Sequence, residues 1–113
     1  MSRRSTSPTG LARAAPVFAA LGDRTRLALL ARLSVGGPLS IARLTTGSAV
    51  TRQAITKHLQ VLLGAGLVHD ARQGRERIWK LDPERLVRAR GCLDEISRRW
   101  DQALDRLKTF VEQ

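Results

Sequence analysis

The stretch TRQAITKHL, residues 51–59, is rich in side chains that can pair with nucleic acid. On a helical wheel, Ile55, Leu59 and Leu62 fall on one side and polar residues on the other. The outward-facing residues are Arg52, Gln53, Thr56, Lys57 and Gln60, none of them acidic. Arginine and lysine pair with guanine or phosphate, glutamine suits adenine, and a threonine methyl can contact thymine. The pattern predicts a face that reads base edges, with an ordinary solvated helix face as the alternative.

A second basic cluster follows directly. The runs LVHDAR and ERIWKL are compatible with β-strands and flank RQGRE, which places Gly74 at a turn. This predicts a hairpin over residues 67–81, with Arg72, Arg75 and Arg77 as its cations. Such a ribbon can place cations along phosphates or in a minor groove. Hairpin tips are also often charged only because they are solvated. The cluster therefore indicates nucleic-acid binding mainly because it follows the candidate helix directly.

Other candidates for chemistry are few. The chain holds one cysteine, Cys92, and two histidines, His58 and His69. A structural zinc takes about four such ligands, so we predict no metal site and no cofactor. We expect Cys92 to be a small buried residue, with a redox contact across a dimer as the alternative. We expect His58 to be packed and hydrogen-bonded, with a phosphate contact as the alternative, and His69 to be structural or exposed.

Enzymatic chemistry is not predicted. The acidic residues after position 93 alternate with arginines at a spacing of three to four, which is typical of solvated ion pairs on a helix. The chain has no glycine-rich phosphate loop and no pairing of a nucleophile with a base.

The charge balance favours a polyanionic partner. Twenty basic residues against ten acidic ones give a net charge of +10. Nucleic acid is a better candidate than an anionic membrane, and a merely solvated surface is the alternative. The chain has no apolar run of membrane-spanning length, its N-terminus lacks a signal-peptide pattern, and a single cysteine suits a reducing compartment. We expect a cytoplasmic protein without a membrane partner.

Start and stop signals divide the chain into elements. We predict a disordered basic arm over residues 1–10 and a single domain over residues 11–113. PVFAALG predicts a short helix with Pro16 in its first turn, and Asp23 can cap a second helix. Ser40 and Thr51 are candidate caps of a third and a fourth helix, which together form a helix-turn-helix over residues 39–63. In the second helix, the residues expected to share a face are Leu27, Leu30, Ala31 and Ser34.

The last helix begins at Pro83 and carries an apolar seam. Its apolar residues alternate at spacings of three and four, which is the pattern of a helix-pairing face. The seam residues predicted to contact a second copy are Leu86, Leu93, Ile96, Trp100, Leu107 and Phe110. Ala89 and Ala103 lie on the same line. The helix is longer than a compact domain of this size needs, and a two-fold dimer would cover the seam.

Four segments are similar to the ArsR/SmtB family of dimeric winged-helix repressors. They are FAALGDRTRLALLARL, LSIARL, VTRQAITKHLQVLLGAGLV and RQGRERIWKLD, spread over residues 17–82. The resemblance implies that the helix after Thr51 enters the major groove and that segments 11–22 and 83–113 build the dimer. It places DNA contacts on Arg52, Gln53, Thr56 and Lys57, and wing contacts on Arg72, Arg75 and Arg77.

Two features set this chain apart within that resemblance. The family's metal-binding Cys-x-Cys positions correspond to Ser40 and Ala42, and the ending ISRRWDQALDRLKTFVE resembles a metal-independent branch. Gly47 lies two residues earlier than the family's usual turn glycine, where this chain has Ala49.

Together these observations predict a mainly α fold with a small β-hairpin wing. The expected architecture is a dimeric winged helix-turn-helix with a long C-terminal dimerisation helix. The expected function is sequence-specific binding of double-stranded DNA, as a homodimeric repressor of an inverted-repeat operator. The alternative is a basic interaction module that binds another protein through its long helix and has only incidental DNA affinity.

Overall fold

The computed structural model describes residues 8–112, with side chains from residue 12 onward. The elements within this range are α1 (Pro8–Leu21), α2 (Arg24–Gly36), β1 (Leu39–Ser40), α3 (Ile41–Thr45), α4 (Arg52–Gly64), β2 (Val68–Gln73), β3 (Glu76–Leu81) and α5 (Pro83–Glu112). The predicted order of four helices, a hairpin and a long helix is confirmed. The short strand β1 was not predicted. None of these helices is long and apolar enough to cross a membrane.

Helix α1 begins earlier than predicted. It starts at Pro8, so the start assigned to Pro16 is wrong. The arm predicted over residues 1–10 lies outside the described residues up to position 7, and residues 8–10 are helical. Proline suits the first helical position, and the alanine-rich stretch that follows favours a helix. Pro16 lies inside the helix and has no N–H to donate to the carbonyl of Ala12. Both residues are exposed, so water can solvate that carbonyl.

Helix α2 turns a different face to the core. Leu29, Leu30 and Leu33 are buried, whereas Leu27 is 50% exposed, so the predicted face was largely wrong. Ala31 and Ser34 are exposed as well. Because the sequence LALLARL is apolar nearly all round, its spacing does not select a face.

The three predicted helix caps are confirmed. The side-chain oxygens of Asp23, Ser40 and Thr51 accept hydrogen bonds from the backbone N–H three residues later, at 2.9, 3.2 and 3.1 Å respectively. Each satisfies a donor that the first turn of a helix leaves without an internal partner.

The strands form an antiparallel sheet in the order β1-β3-β2. The hairpin register runs from Val68 opposite Leu81 to Gln73 opposite Glu76, with Gly74 at a φ of 61° in the turn. Leu39 of β1 pairs with Trp79 of β3, which is fully buried. A backbone hydrogen bond of 2.9 Å from residue 82 to the carbonyl of residue 67 closes the base of the hairpin.

The predicted apolar stripe of α4 lies at the centre of the core. Ile55, Leu59 and Leu62 are at most 1% exposed. They belong to one cluster with residues of α1, α2, the sheet and the start of α5. The core therefore fixes which face of α4 remains outside.

Helix α5 belongs to the core only at its N-terminal end. Ala89 and Cys92 are buried, and Leu86 is half-buried against the core, so the dimer contact expected for Leu86 stays a prediction. From Leu93 onward the apolar seam is exposed. The helix has 30 residues and is about 45 Å long. It gives the molecule a longest dimension of 67 Å and a radius of gyration of 18.4 Å, against about 13 Å for a compact chain of this length.

Candidate nucleic-acid interface

The polar face of α4 lies opposite its buried stripe. Arg52, Gln53, Lys57 and Gln60 are exposed, as predicted from the helical wheel. Thr56 is half-buried, and its hydroxyl donates to the carbonyl of Arg52 at 2.9 Å. Because that proton is already used, Thr56 offers a partner its methyl group and the remaining acceptor capacity of its oxygen.

The turn before α4 is built around Gly47. Its φ of 73° is a left-handed conformation, which glycine adopts without strain. The side-chain oxygen of Ser48 accepts from the N–H of Val50 at 3.0 Å and helps to lead the chain into the cap at Thr51. Gly47 therefore provides the left-handed conformation of the turn. Alanine can then occupy position 49, where the family usually has its turn glycine.

Arg32 of α2 fixes the end of α3 through a contact that no local sequence pattern predicts. Its two terminal nitrogens donate to the carbonyls of Leu44 and Arg43, both at 2.8 Å. These carbonyls lie in the last turn of α3, where intrahelical donors run out. Arg32 thus holds the first helix of the helix-turn-helix against α2 and so positions α4.

Arg26 joins the helices α1, α2 and α4. Its Nε donates to the carbonyl of Ala20 at the end of α1 at 2.6 Å, and its Nη1 lies 3.2 Å from Nδ1 of His58 on α4. The carboxylate of Asp23, the cap of α2, lies 3.7 Å from the same ring nitrogen. His58 is therefore packed and hydrogen-bonded, as predicted.

The charge of Asp23 is stabilised by its role as a cap. The hydrogen bond from the backbone N–H of Arg26 is the main reason that the pKa of this carboxyl lies below its usual value of 3.8. The positive charge of Arg26 and the ring of His58 lower it further, and partial desolvation opposes them.

The cations of the wing fall into two groups. Arg72 and Arg75 are exposed and make no ion pair within the described residues. Arg77 differs, because its Nε donates to Asp70 Oδ2 at 2.5 Å and its guanidinium carbon lies 4.5 Å from the ring centroid of Trp79. The structure thus places all three in the wing but gives Arg77 partners inside it.

The base of the wing is held by a second pair. His69 Nε2 lies 2.5 Å from Asp82 Oδ2, and the other oxygen of Asp82 accepts from the N–H of Glu84 at 3.0 Å. The hydrogen bond from Glu84, followed by that from His69, lowers the pKa of Asp82 below 3.8. His69 is exposed, but its contact with Asp82 is structural because it connects the wing to the start of α5.

The positions that correspond to the family's metal site hold no suitable ligand. Ser40 and Ala42 line an open cleft of about 350 Å³ between α3 and β3, with Arg43 and Glu76 among its other walls. Among the residues that the structure describes, no three histidine, cysteine, aspartate or glutamate side chains are grouped so that they could hold a metal ion.

Comparison with known proteins agrees with this geometry. A helix-turn-helix domain family matches residues 21–71, which cover α2 to α4 and the start of β2. An HTH-type transcriptional regulator of Mycobacterium tuberculosis is 42% identical over 85 residues, which are 75% of this chain and 76% of that protein. The arsenical resistance operon repressor of Escherichia coli is 33% identical over 82 residues, which are 73% of this chain and 70% of that protein.

Among solved structures, an ArsR-like transcriptional regulator from Rhodococcus sp. RHA1 superimposes with a TM-score of 0.78 at 36% identity. The match covers 90% of this chain and 95% of that one, so it includes the wing and α5 as well as the helix-turn-helix. With an exposed, non-acidic face on α4 and this likeness along nearly its whole length, the chain belongs to the ArsR family of winged helix-turn-helix, DNA-binding transcriptional regulators.

Proposed function

We propose that this regulator is a homodimeric repressor that binds an inverted-repeat operator. The observation that carries the proposal is the face of α4, which is exposed and free of acidic residues while the opposite stripe is fully buried. A helix held in this way can enter the major groove without disturbing the core. Repression is supported by the likeness to the Escherichia coli repressor.

The polar side chains of α4 make two kinds of DNA contact, to bases and to phosphates. Gln53 and Thr56 read base edges near the start of α4, and Lys57 and Gln60 extend the contact along the groove. Arg52 lies in the first turn, where the backbone N–H groups and the helix dipole also favour a phosphate. Side chains of this kind position a protein on DNA through phosphates and specify the site through bases.

The wing supplies further phosphate contacts. Arg72 and Arg75 are exposed near its tip, and their positive charge favours phosphate oxygens. Arg77 holds the wing in shape through Asp70 and Trp79, so we assign it a positioning role in place of the DNA contact expected from the sequence.

The dimer is formed through α5. Leu93, Trp100, Leu107 and Phe110 are between 51% and 76% exposed, and Ile96 is 38% exposed. A continuous apolar face of this length exceeds what single soluble chains usually leave in water. A two-fold dimer covers it and places two copies of α4 about 34–36 Å apart, which is one turn of DNA.

The regulator acts without a bound metal. Ser40 and Ala42 replace the thiolates that the family's metal site needs, and α5 contains no histidine. This supports a repressor whose release from DNA does not depend on metal or metalloid ions.

Footprinting of the purified protein on DNA upstream of its own gene tests the proposal, together with sedimentation of the protein alone. We expect protection of an inverted repeat with half-sites one turn apart, and a dimer at micromolar concentration. Equal affinity for the protected site and for unrelated DNA of the same length would contradict sequence-specific repression. That result would instead favour a protein-interaction module with incidental DNA affinity.

A further inference from the structure

Thr56 differs from its neighbours on the polar face of α4 in what it offers to DNA. Arg52, Gln53, Lys57 and Gln60 carry long polar side chains, whereas Thr56 is short and is the only one of the five with a methyl group. It is half-buried at the edge of that face, next to the stripe that holds α4 in the core. Its side chain therefore meets a base only where the helix itself lies close to the floor of the groove.

The hydroxyl of Thr56 is turned toward its own helix. It donates to the carbonyl of Arg52, one turn earlier, at 2.9 Å. Its single proton is thereby used, so Thr56 has no donor for the acceptors that guanine and thymine present in the major groove. A β-branched side chain has few rotamers in a helix, and this bond fixes one of them. The methyl group is the part of the side chain that remains for DNA.

We propose that Thr56 recognises the C5 methyl group of one thymine in each half-site, and that its hydroxyl reads no base. The inference rests on the DNA-binding function proposed above and adds the chemical group that this position selects. Among the four standard bases, only thymine presents a methyl group in the major groove. A contact between two methyl groups removes apolar surface from water and leaves no polar group without a partner.

A hydrogen bond between a base and the hydroxyl of Thr56 is the competing interpretation. If the hydroxyl turned toward a base acceptor, it would lose its bond with Arg52, so one hydrogen bond would replace another with little gain in affinity. If its oxygen accepted from a base amino group, it would select cytosine or adenine in place of thymine. The two interpretations therefore predict different bases at this position.

Gln53 indicates where the thymine lies within a half-site. Gln53 and Thr56 are three residues apart, which places their Cβ atoms about 5–6 Å from each other on the helix surface. Base pairs are stacked about 3.4 Å apart, so the two side chains meet base pairs one or two steps apart. Glutamine pairs with adenine through N6 and N7. Each half-site should contain such an adenine and, within two base pairs of it, the thymine read by Thr56.

Val61 provides a matched control on the same helix. It also presents methyl groups on the surface of α4 and is 45% exposed. It follows Thr56 by five residues, which is about 140° around the helix and about 7.5 Å along it. The two side chains therefore do not share a thymine. Val61→Ala removes exposed methyl groups and leaves Thr56 unchanged.

Replacement of thymine by uracil tests the inference, because deoxyuridine lacks only the C5 methyl group and still pairs with adenine. The operator protected in the footprint is made in symmetric form, with one thymine of each half-site replaced in turn. Wild-type affinity for each duplex is measured by fluorescence anisotropy. We expect a loss at one position only in reach of Thr56, about fourfold for each half-site and about fifteenfold for both, as the burial of one methyl group implies.

Two variants separate the methyl group of Thr56 from its hydroxyl. Thr56→Ser keeps the hydroxyl and removes the methyl group, so it should bind the thymine and uracil duplexes equally. Thr56→Val keeps a methyl group and removes the hydroxyl, so it should still prefer thymine. Val61→Ala should keep the wild-type preference. At the same position, 5-methylcytosine in place of cytosine should raise the affinity of the wild type and not that of Thr56→Ser.

The outcomes distinguish this inference from the function on which it rests. Equal wild-type affinity for thymine and uracil at every position would overturn the inference and leave sequence-specific binding intact. A preference for thymine that persists in Thr56→Ser, or is lost in Thr56→Val or Val61→Ala, would also overturn it. The uracil replacement needs no variant, so it remains decisive even where a substitution disturbs the fold. Equal affinity for the operator and for unrelated DNA would contradict the proposed function itself.

Discussion

Polar contacts made by single side chains set how α4 is presented. Thr51 caps its start, Arg32 closes the end of α3, and Arg26 connects the end of α1 with His58 on α4. The buried stripe of α4 anchors the helix, but apolar contacts have little directional preference. Hydrogen bonds have defined angles, so they hold α4 in the orientation that its buried stripe selects. Residues outside the exposed polar face of α4 therefore contribute to how that face is presented.

The first prediction concerns base reading by α4. Gln53→Ala with Thr56→Ala should relax the preference at particular base pairs, with a loss of about 1–3 kcal/mol for each contact. Selection from a randomised operator library measures this directly. Gln102→Ala, which changes an exposed glutamine on α5, is the matched control and should keep the wild-type profile. Identical profiles for all three proteins would remove α4 from base recognition.

The second prediction separates the arginines of the wing. Arg72→Gln and Arg75→Gln should each weaken binding to all DNA sequences and reduce the salt slope of the binding constant by about 1. Arg77→Gln should leave that slope nearly unchanged and lower the unfolding temperature, because its guanidinium contacts Asp70 and Trp79. Slopes measured between two salt concentrations test the distinction, and an equal reduction in all three variants would show that Arg77 contacts phosphate as well.

The third prediction is the pH dependence of the cap at Asp23. Its folded-state pKa is lowered, so its charge stabilises the fold above the usual value of 3.8, and this contribution is lost as the pH falls through the lowered pKa. Wild type should therefore unfold at a higher temperature than Asp23→Asn near neutral pH. This gap between the two unfolding temperatures should close in acid. Thr51→Ala, which removes an uncharged cap worth about 1 kcal/mol, should show a gap independent of pH. A gap for Asp23→Asn that persists in acid would contradict the charge argument.

Residue-level prediction from the sequence succeeded where the partner is close along the chain. Each cap bonds a backbone group three residues away, so a local pattern contains both members of the contact. The partners of Arg26, Arg32 and Arg77 are separated from them by 32, 12 and 7 positions respectively. The local sequence does not indicate such pairs. For Arg77, its place near a basic hairpin tip predicted a DNA contact and gave no sign of the contact with Asp70.

At the level of elements, α4, the hairpin and α5 were predictable because independent signals agreed. Periodicity, caps and turn glycines all gave the same boundaries. The buried face of α2 was not predictable because apolar residues lie on nearly all sides of the helix. The start of α1 was predicted too late because proline, here Pro16, favours the first turn of a helix. The two residues of β1 are a strand only through pairing with β3, which a local pattern cannot show.

The fourth prediction belongs to α5 as an element. Trp100→Ala should weaken dimerisation by about 2 kcal/mol or more and lower operator affinity with it, since buried aromatic residues dominate interface energetics. Sedimentation equilibrium and operator titration measure the two effects. Trp79 then remains as the only tryptophan, and its fluorescence reports whether the buried core is intact.

An exposed residue of α5 outside the seam is the control for this prediction. Gln102→Ala should leave dimerisation and operator affinity unchanged. Full operator affinity in a Trp100→Ala protein shown to be monomeric would contradict the role of α5.

The fifth prediction concerns the whole molecule. Zinc, cadmium or arsenite at stoichiometric amounts should leave the protein bound to its operator, because the family's thiolate positions are Ser40 and Ala42. Fluorescence anisotropy of labelled operator DNA measures release. The matched variant with Ser40→Cys and Ala42→Cys supplies the two missing thiolates and is measured beside the wild type. Release of the unmodified protein at these concentrations would show that a metal site exists.

Charge was the most informative property of the molecule as a whole. A net charge of +10 indicates a polyanionic partner whatever the fold, and the proposed homodimer doubles it. The overall dimensions were not predictable, because they depend on how far α5 extends beyond the core and not on composition.

In the proposed homodimer, the division of α5 between core and seam links gene dosage to promoter occupancy. The half of α5 beyond Ile96 has no core to pack against, and a helix of that length is only marginally stable alone in water. Association therefore completes its folding, which makes assembly cooperative. Where protomers are mostly separate, the population of assembled protein rises with the square of the total, so a doubling of synthesis gives about a fourfold rise. A promoter controlled by such a protein responds steeply to the rate at which the protein is made and diluted by growth.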